Sequence, residues 1–538
     1  MQSQHEGTIL SAQDVSLLIW SSKYRIRDAH GYAEASLEET FARVANALSM
    51  NEVPHLRQAW SRAFLRCMST FEFLPAGRVL RNAGRAGAGT MVSTFAMPAL
   101  TTHNWLGTAK TALRTMVSGG GIGLNFQGDA YARADRGRLR RDLEFWQSIA
   151  TKAMASPEGR AAMIGLIPAD HPEIREFINA KSRIGDLSQF NLSVLVSHDI
   201  LEREDELIRA ICESIVDTGE PGVLFIDNIA VSDNLRTIEK IVGTNSCCEQ
   251  PLPAFGSSPL GSVNVARFVD SPFTLEARID FDRLDAVVCT AIRMLDNIIE
   301  LERYPTERQT SVARSTRRVG LGIMGLDDAL RMLGMEYGSE DSLDTVAALL
   351  RRVRAASYAA SIELAAERGA FPRFGASQFT TGPGWLGVED SGACGLFFRR
   401  GIRNGALTAI APAGSLALLA GNVSAGIEPT YSRQQTRTIR IDGVPQTFRL
   451  QPCWAGQAPS YLDRSPSGGY ATDISASAHV RVVGQAQRYV DGGISKTVNL
   501  GEHASAQDVR AAIHLGHALG VKGLSFYREH CRRLPVLV

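Results

Sequence analysis

The sequence predicts an α/β protein preceded by a small helical region, and three features carry that expectation. Residues 34 to 70 hold apolar side chains at helical spacing. From about residue 73 short apolar runs alternate with amphipathic stretches. Helical patterning then returns from 279 to 367.

In the first region, "EASLEETFARVANALSM" and "HLRQAWSRAFLRCM" read as two helices, giving a helical unit over 1–72. Beyond it "TMVSTFAMP", "AAMIGLI", "FNLSVLV", "GVLFI" and "GSVNVARFV" read as buried strands. "HPEIREFINAK" and "DELIRAICESIVD" read as helices between such strands, the pattern of crossover connections. The remainder, 73–538, is taken as one α/β unit. Residues 434–480, rich in Gly, Pro, Ser and Gln, read as an irregular excursion. "SAQDVRAAIHLGHALGVKGLSFYRE" reads as a helix capped by Ser505 and followed by a strand. No internal repeat is found.

The chain has 538 residues, 44% of them hydrophobic, enough for a substantial core. Its 57 basic and 56 acidic residues nearly cancel, so charge gives no general case for binding nucleic acid or a membrane surface. The N-terminus lacks a basic segment followed by a long apolar run, and no stretch approaches eighteen apolar residues. Neither a signal peptide nor a membrane span is expected. Eight scattered cysteines, with no CxxC pair and no zinc-finger spacing, suit reduced thiols in a cytoplasm. "HLGH", His514 to His517, reads as a solvated or packed pair rather than a metal site.

Four motifs bear on chemistry. "VGLGIMG" places Gly320, Gly322 and Gly325 in a GxGxxG pattern. A dinucleotide turn must follow a buried strand, whereas the polar "SVARSTRR" precedes this one. Close helix packing is the better reading, and a dehydrogenase would rest on this motif alone. "SGGGIGLNF" is a flexible turn or a place of close backbone approach. "APAGSLALLAG" opens an apolar helix, whose free N–H groups either hold a phosphate or simply start a helix. In "TNSCCEQPLP", an extended chain would put Asn245, Cys247 and Glu249 on one face and Cys248 on the other. Thiol, carboxylate and amide would then meet one small molecule. Spacing alone favours the plainer alternative, a buried cysteine in a loop.

"TNSCCEQPLP" resembles the "NPCGEQPL" signature of ribonucleotide reductase catalytic subunits, especially the adenosylcobalamin-dependent class. "FLPAGRVLRNAG", "GGGIGLNF", "DHPEIREFINAK", "GEPGVLFIDNIAVSDNL", "RRVGLGIMGLDDAL", "GIRNGALTAIAPAGSLALLAG", "YVDGGISKTVNL" and "GVKGLSFYR" resemble further family blocks in the same order. The resemblance implies a ten-stranded α/β barrel with the cysteine on a central finger loop. It implies that Cys247 becomes a thiyl radical that takes a ribose 3′-hydrogen, with Glu249 the base on the 3′-hydroxyl and Asn245 a partner for substrate hydroxyls. It puts the substrate phosphates at Pro412, Ala413, Gly414, Ser415 and Leu416, and implies adenosylcobalamin as cofactor with no metal held by protein ligands. Asn125 lies in a family block but receives no role.

The departures concern electrons. The family reduces its substrate with a cysteine pair on two strands, recharged by cysteines of a C-terminal tail. The pair's positions hold Thr94 and Ser258, and the sequence ends at "CRRLPVLV" with Cys531 alone. A hydroxyl forms no disulfide and is a far weaker acid than a thiol of pKa roughly 8.5. The primary expectation is therefore redox-neutral radical chemistry on a nucleotide or nucleoside, by epimerisation or rearrangement. Reduction to the 2′-deoxynucleotide with an external reductant is the first alternative. A non-catalytic nucleotide- or cobalamin-binding protein is the second. The short segment between "GLNFQGD" and "GRAAMIGLI" implies little allosteric specificity switching. Cys248 stands where the family has glycine; a vicinal disulfide with Cys247 is conceivable but would remove the thiol that the radical needs, so a plain replacement is the favoured reading. A monomer or homodimer, binding no nucleic acid and no membrane, is expected.

Overall fold

The computed structural model describes residues 9–28, 31–127, 137–160, 162–183, 185–441, 444–456, 469–528 and 531. Ten strands make up its two principal sheets: β1 Phe73–Pro75, β2 Thr94–Ala96, β3 Gly121–Asn125, β4 Met163–Pro168, β5 Phe190–Val196, β6 Gly222–Phe225, β7 Leu260–Asn264, β8 Gly320–Met324, β9 Thr497–Leu500 and β10 Gly523–Arg528. Seven of them pair in the order β9-β10-β6-β5-β4-β3-β2, and three in the order β8-β7-β1. Strands β2 to β6 run parallel, with β10 antiparallel to β6. Parallel strands need helical crossovers that cover both faces. Accordingly β3 is buried throughout, and β4 throughout except at Pro168.

The ladders do not run on into one continuous barrel among the described residues, but isolated bridges join the sheets at both edges. Phe95 of β2 bridges Ser257 just before β7. Leu321 of β8 bridges Thr408, and Ile410 bridges Ile494 just before β9. The α/β architecture read from the sequence is the one observed.

Ahead of the sheets, helices Leu37–Ser49 and Arg57–Ser69 bury Phe41, Val44, Leu48, Phe64 and Met68, the stripe that the spacing predicts. They pack on helix Phe281–Leu301. An ion network ties this junction together. Asp296, fully buried, accepts from Arg317 at 2.7 Å and Asn404 at 3.0 Å, with Arg368 at 3.3 Å. Arg368 also reaches Glu52 at 2.6 Å, and Glu52 holds Arg293 at 2.9 Å. Burial alone would raise the Asp296 carboxyl; Arg317, Arg403 and Arg368 together hold it below its usual range.

Two readings are corrected. The stretch taken as irregular contains an antiparallel hairpin, Gln435–Ile441 with Val444–Leu450, and Ile9–Leu10 adds to it in parallel. Ile439, Phe448 and Leu450 are buried; surrounding turn formers obscured this alternation. Residues 442–443 and 457–468 of that stretch, 128–136 of the short segment, and 532–538 lie outside the described residues. The glycines of GxGxxG serve a strand rather than a helix contact. Gly320 and Gly322 are in β8, and a Cβ on Gly322 would stand 2.5 Å from the Ala409 carbonyl oxygen. The polar residues before them form their own helix, Glu307–Thr316.

Ser505 caps its helix as read, accepting from the Asp508 N–H at 3.3 Å. His517 stacks on His198 with ring centroids 5.4 Å apart, and no metal-holding group occurs among the described residues. Among them, no helix is long and apolar enough to cross a membrane. All eight cysteines are free thiols.

Asp296→Ala removes the buried carboxylate that Arg317, Arg368 and Arg403 share, leaving Arg317 and Arg403 only the half-buried Glu300. It is expected to cost about 3–5 kcal/mol, read as a lowered denaturant midpoint for the whole chain.

Candidate active site

Strands Ile241–Thr244 and Pro251–Pro253 form a small antiparallel hairpin, a finger whose tip is residues 245–250. Thr244 pairs with Pro251, and the Asn245 N–H donates to the Gln250 carbonyl at 3.2 Å. The tip is not the extended run that the alternating spacing assumed. The Cys248 N–H closes a turn on the Asn245 carbonyl at 3.1 Å, and Cys248 sits at φ +66°. A turn, not strand alternation, brings Asn245, Cys247 and Glu249 into one neighbourhood. Cys248 still turns away, packing with Ile164, Leu166, Leu224 and Ile229.

The walls grip the finger through its backbone. A Cβ on Gly123 would stand 1.9 Å from the Thr244 carbonyl oxygen, so only glycine fits there. This identifies "GGGIGLNF" as a place of close approach. Asn125 Nδ2 donates to the Val242 carbonyl at 2.6 Å, and Asn191 Nδ2 to the Ser246 carbonyl at 2.8 Å. From the other side the Gly493 N–H donates to the Glu249 carbonyl at 2.8 Å, and a Cβ on Gly493 would meet the Cys248 carbonyl oxygen at 2.5 Å.

The side chains at the tip have matched electrostatics. Glu249 is buried and its Oε2 has no protein hydrogen-bond partner. Burial pushes its carboxyl up to about 7, against the pull of its own backbone N–H, the Asn245 side chain and the Arg160 charge. Asn245 Oδ1 accepts from the Gln250 N–H at 3.0 Å, which fixes its amide beside Glu249. Cys247 keeps some exposed surface, and its sulfur shares a long hydrogen-bond contact with Ser246 Oγ at 3.7 Å. Burial, then the Glu249 charge, pushes its thiol up to about 12, so it stays S–H at neutral pH. A neutral S–H can give up a hydrogen atom; a thiolate has none to give.

Thr94 and Ser258 come together as well. The antiparallel bridge between Phe95 and Ser257 sets Thr94 opposite Ser258, with the Ala96 N–H on the Gly256 carbonyl at 3.0 Å; both residues are buried. The Pro412–Leu416 stretch starts the short helix Gly414–Leu419, with Ala413 left-handed at φ +53°. It follows Ile410, whose N–H donates to the Gly493 carbonyl at 3.1 Å, so it continues from the wall that clasps the finger. Ser415 Oγ accepts from Lys23 Nζ at 2.9 Å.

Sequence reasoning left Asn125 without a role and missed Asn191, Gly493 and Lys23. Asn191 had a signal, a lone amide inside the apolar run "FNLSVLV". Lys23 had none.

The raised carboxyl gives a pH test. The native state retains the Glu249 proton that the unfolded chain loses, between about pH 4.5 and 7. Its contribution to stability is complete below pH 4.5 and is lost as pH rises through 7. Glu249→Gln cannot ionise, so its unfolding midpoint should match wild type near pH 4.5 and exceed it at pH 8. Cys248→Gly, which relieves a left-handed non-glycine residue, should change stability by no more than about 1 kcal/mol.

Comparison with known proteins bears on the family of the chain. The family model for the ribonucleotide reductase barrel domain matches residues 203–451 and 465–527, and that for the all-alpha domain matches 11–88. A vitamin B12-dependent ribonucleoside-diphosphate reductase from Mycobacterium tuberculosis (strain CDC 1551 / Oshkosh) is 30% identical over 97% of this chain and 80% of its own length. One from Thermoplasma acidophilum is 29% identical over 88% of this chain and 66% of its own length. A ribonucleoside-diphosphate reductase subunit alpha from Treponema pallidum is 25% identical over 60% of this chain and 40% of its own length. With a finger-borne cysteine between an asparagine and a buried glutamate, and matches running from its helical region through its sheets, the chain belongs to the ribonucleotide reductase family.

Proposed function

We propose that the chain reduces a ribonucleoside diphosphate to its 2′-deoxy form by radical chemistry, with electrons drawn from an external reductant. The observation that carries this is the pairing at the finger tip of a protonated, sparsely contacted thiol with a buried carboxyl whose Oε2 has no partner. The names of the B12-dependent relatives support reduction over the redox-neutral outcome expected from the cysteine losses. The eight free thiols fit a reducing compartment such as the cytoplasm.

Adenosylcobalamin fits the site without protein ligation, because the Cys247 thiol keeps exposed surface and one long contact, leaving it open to hydrogen exchange. When bound, the cofactor supplies an organic radical by homolysis of its carbon–cobalt bond. Cys247 Sγ, having given up its hydrogen atom, takes the 3′-hydrogen of the ribose. Glu249 accepts the 3′-hydroxyl proton, a role suited to a carboxyl near 7. Asn245 holds Glu249 and a ribose hydroxyl. In the Pro412–Leu416 stretch the N–H groups of Gly414, Ser415 and Leu416, which lie ahead of the first intrahelical bond, Ala417 N–H to the Ala413 carbonyl at 2.8 Å, meet the phosphates.

Loss of the 2′-hydroxyl as water consumes two electrons and two protons. Thr94 and Ser258 cannot supply them, so formate, leaving as carbon dioxide, or a small thiol, leaving as a disulfide, is the donor. The same two hydroxyls favour a second reading in which hydrogen returns to carbon without net reduction. A monomer or homodimer would suffice for either.

Anaerobic incubation with adenosylcobalamin and a ribonucleotide panel in deuterated water, with and without formate or dithiol, tests the reading. A 2′-deoxynucleotide formed only with reductant, and abolished in Cys247→Ala, is expected. An isomer of unchanged oxidation level formed without reductant would replace reduction by the second reading. Turnover should rise with pH through about 7, and Glu249→Gln should lose about 100-fold or more.

The opposed register gives a further test. In Thr94→Cys/Ser258→Cys the two thiols face each other across an antiparallel bridge, within disulfide reach. This variant should make about one equivalent of product per chain without added reductant, as its thiols oxidise to a disulfide.

A further inference from the structure

The two-glycine segment that holds the Glu249 carbonyl is itself aimed from behind. Lys522 directly precedes β10 and is buried, and its carbonyl accepts from the Phe225 N–H of β6 at 2.9 Å. Its Nζ donates to two successive backbone carbonyls, Asp491 at 2.5 Å and Gly492 at 2.9 Å. Gln487, the last residue of helix Ala476–Gln487, donates from Nε2 to the same Gly492 carbonyl at 2.9 Å and to that of Val490 at 3.0 Å. Among the described residues Lys522 forms no ion pair, whereas buried Arg318 has Asp233 and Glu239. An ammonium taken out of water with no carboxylate beside it is unfavourable. What it holds in place is therefore informative.

A trans peptide points its C=O and its N–H in opposite directions. In the peptide joining Asp491 to Gly492 the oxygen faces Lys522, and the N–H donates to the Thr408 carbonyl at 2.8 Å. In the next peptide the Gly492 oxygen faces Lys522 and Gln487, and the Gly493 N–H donates to the Glu249 carbonyl at 2.8 Å. One ammonium thus orients two planes, the first towards the wall and the second towards the finger. A cation on the oxygen side also strengthens each N–H as a donor. The approach is close enough that a Cβ on Gly492 would stand 2.8 Å from the Glu249 carbonyl oxygen. Asp491 steadies the start of the segment, accepting from the Tyr358 hydroxyl and the Leu407 N–H, both at 2.8 Å. Burial pulls the Lys522 ammonium down to about 8, against the Asp491 and Asp233 charges. Even uncharged, the amine keeps a hydrogen for each carbonyl.

We infer that Lys522 is a positioning residue for Glu249, acting through the Gly492 and Gly493 peptide planes, with Gln487 as its second support. The use of that positioning in proton transfer rests on the role proposed for Glu249 above. Lys522 acts on Glu249 through backbone: it fixes where the finger tip seats, and so how fully the carboxyl is enclosed. Loosening the planes lets water reach Glu249 and returns its carboxyl towards the ordinary carboxylate range.

The test compares the full chain as wild type, Lys522→Met and Gln487→Leu, each with and without Glu249→Gln. The first readout is the gap in unfolding midpoint that Glu249→Gln opens at pH 8. The gap should shrink by about half or more in Lys522→Met, and by less in Gln487→Leu, because Glu249 there ionises more easily. A merely structural lysine would lower both midpoints together and leave the gap unchanged. Amide hydrogen exchange over the Gly492–Gly493 segment should quicken about tenfold or more in Lys522→Met. In the reaction proposed above, Lys522→Met should lower turnover about tenfold, keep KM within about twofold and move the low-pH limb towards acid. In the Glu249→Gln background it should cost nothing further. An unchanged gap with unchanged exchange in the variants that fold would overturn this assignment and leave the proposed reaction standing. A shrunken gap with faster exchange, but no nucleotide turnover by wild type, would uphold the positioning and overturn the reaction.

Discussion

The finger tip is held by contacts to its main chain, and the role proposed for Cys247 depends on that hold. Thr244, Val242, Ser246, Cys248 and Glu249 all meet the walls through carbonyl oxygens, at Gly123, Asn125, Asn191 and the Gly493 segment. Backbone so deep in a protein must have its polar groups satisfied. The walls do this with amides and with positions where a Cβ would not fit. Cys247 Sγ and Glu249 Oε2 are thereby spared from anchoring the tip: the sulfur has a long contact to Ser246 Oγ, and Oε2 has no protein partner. A finger held by its side chains could not also present them.

The same enclosure explains the two titratable groups. It raises both the thiol and the carboxyl, and each shift serves a different end. The sulfur keeps its hydrogen, and the carboxylate oxygen sits near neutrality, where it can exchange a proton. Asn245 serves both ends, its Oδ1 fixed by the Gln250 N–H and its amide beside Glu249. Neighbouring Cys248 shares the enclosure but not the role, because the turn at φ +66° directs it into an apolar cluster.

How much of this was legible in the sequence follows from what each feature depends on. The helices at 37–49 and 57–69 were readable because amphipathic spacing is local. The buried strands were readable because parallel sheets demand continuous apolar runs. The proximity of Asn245, Cys247 and Glu249 was readable, but not its geometry: alternation implied an extended run where a turn was needed. The hairpin at 435–450 was hidden because its partner strand, Ile9–Leu10, is more than four hundred residues away, and composition near its ends pointed to turns. Lys23 was invisible for the same reason, since only tertiary structure brings it to Ser415. The opposition of Thr94 and Ser258 likewise needed the bridge between Phe95 and Ser257.

The pairing of Ile9–Leu10 with Arg449–Leu450 bears on the order in which the protein is assembled. Contacts between distant parts of a chain form late and carry the largest loop-closure cost. During synthesis Ile9–Leu10 emerges early and its partner Arg449–Leu450 more than four hundred residues later, so this three-stranded sheet cannot close until most of the chain has left the ribosome. A nascent chain can build its helical region and much of its seven-stranded sheet before that closure. Closure of this small sheet is thus a late event of assembly.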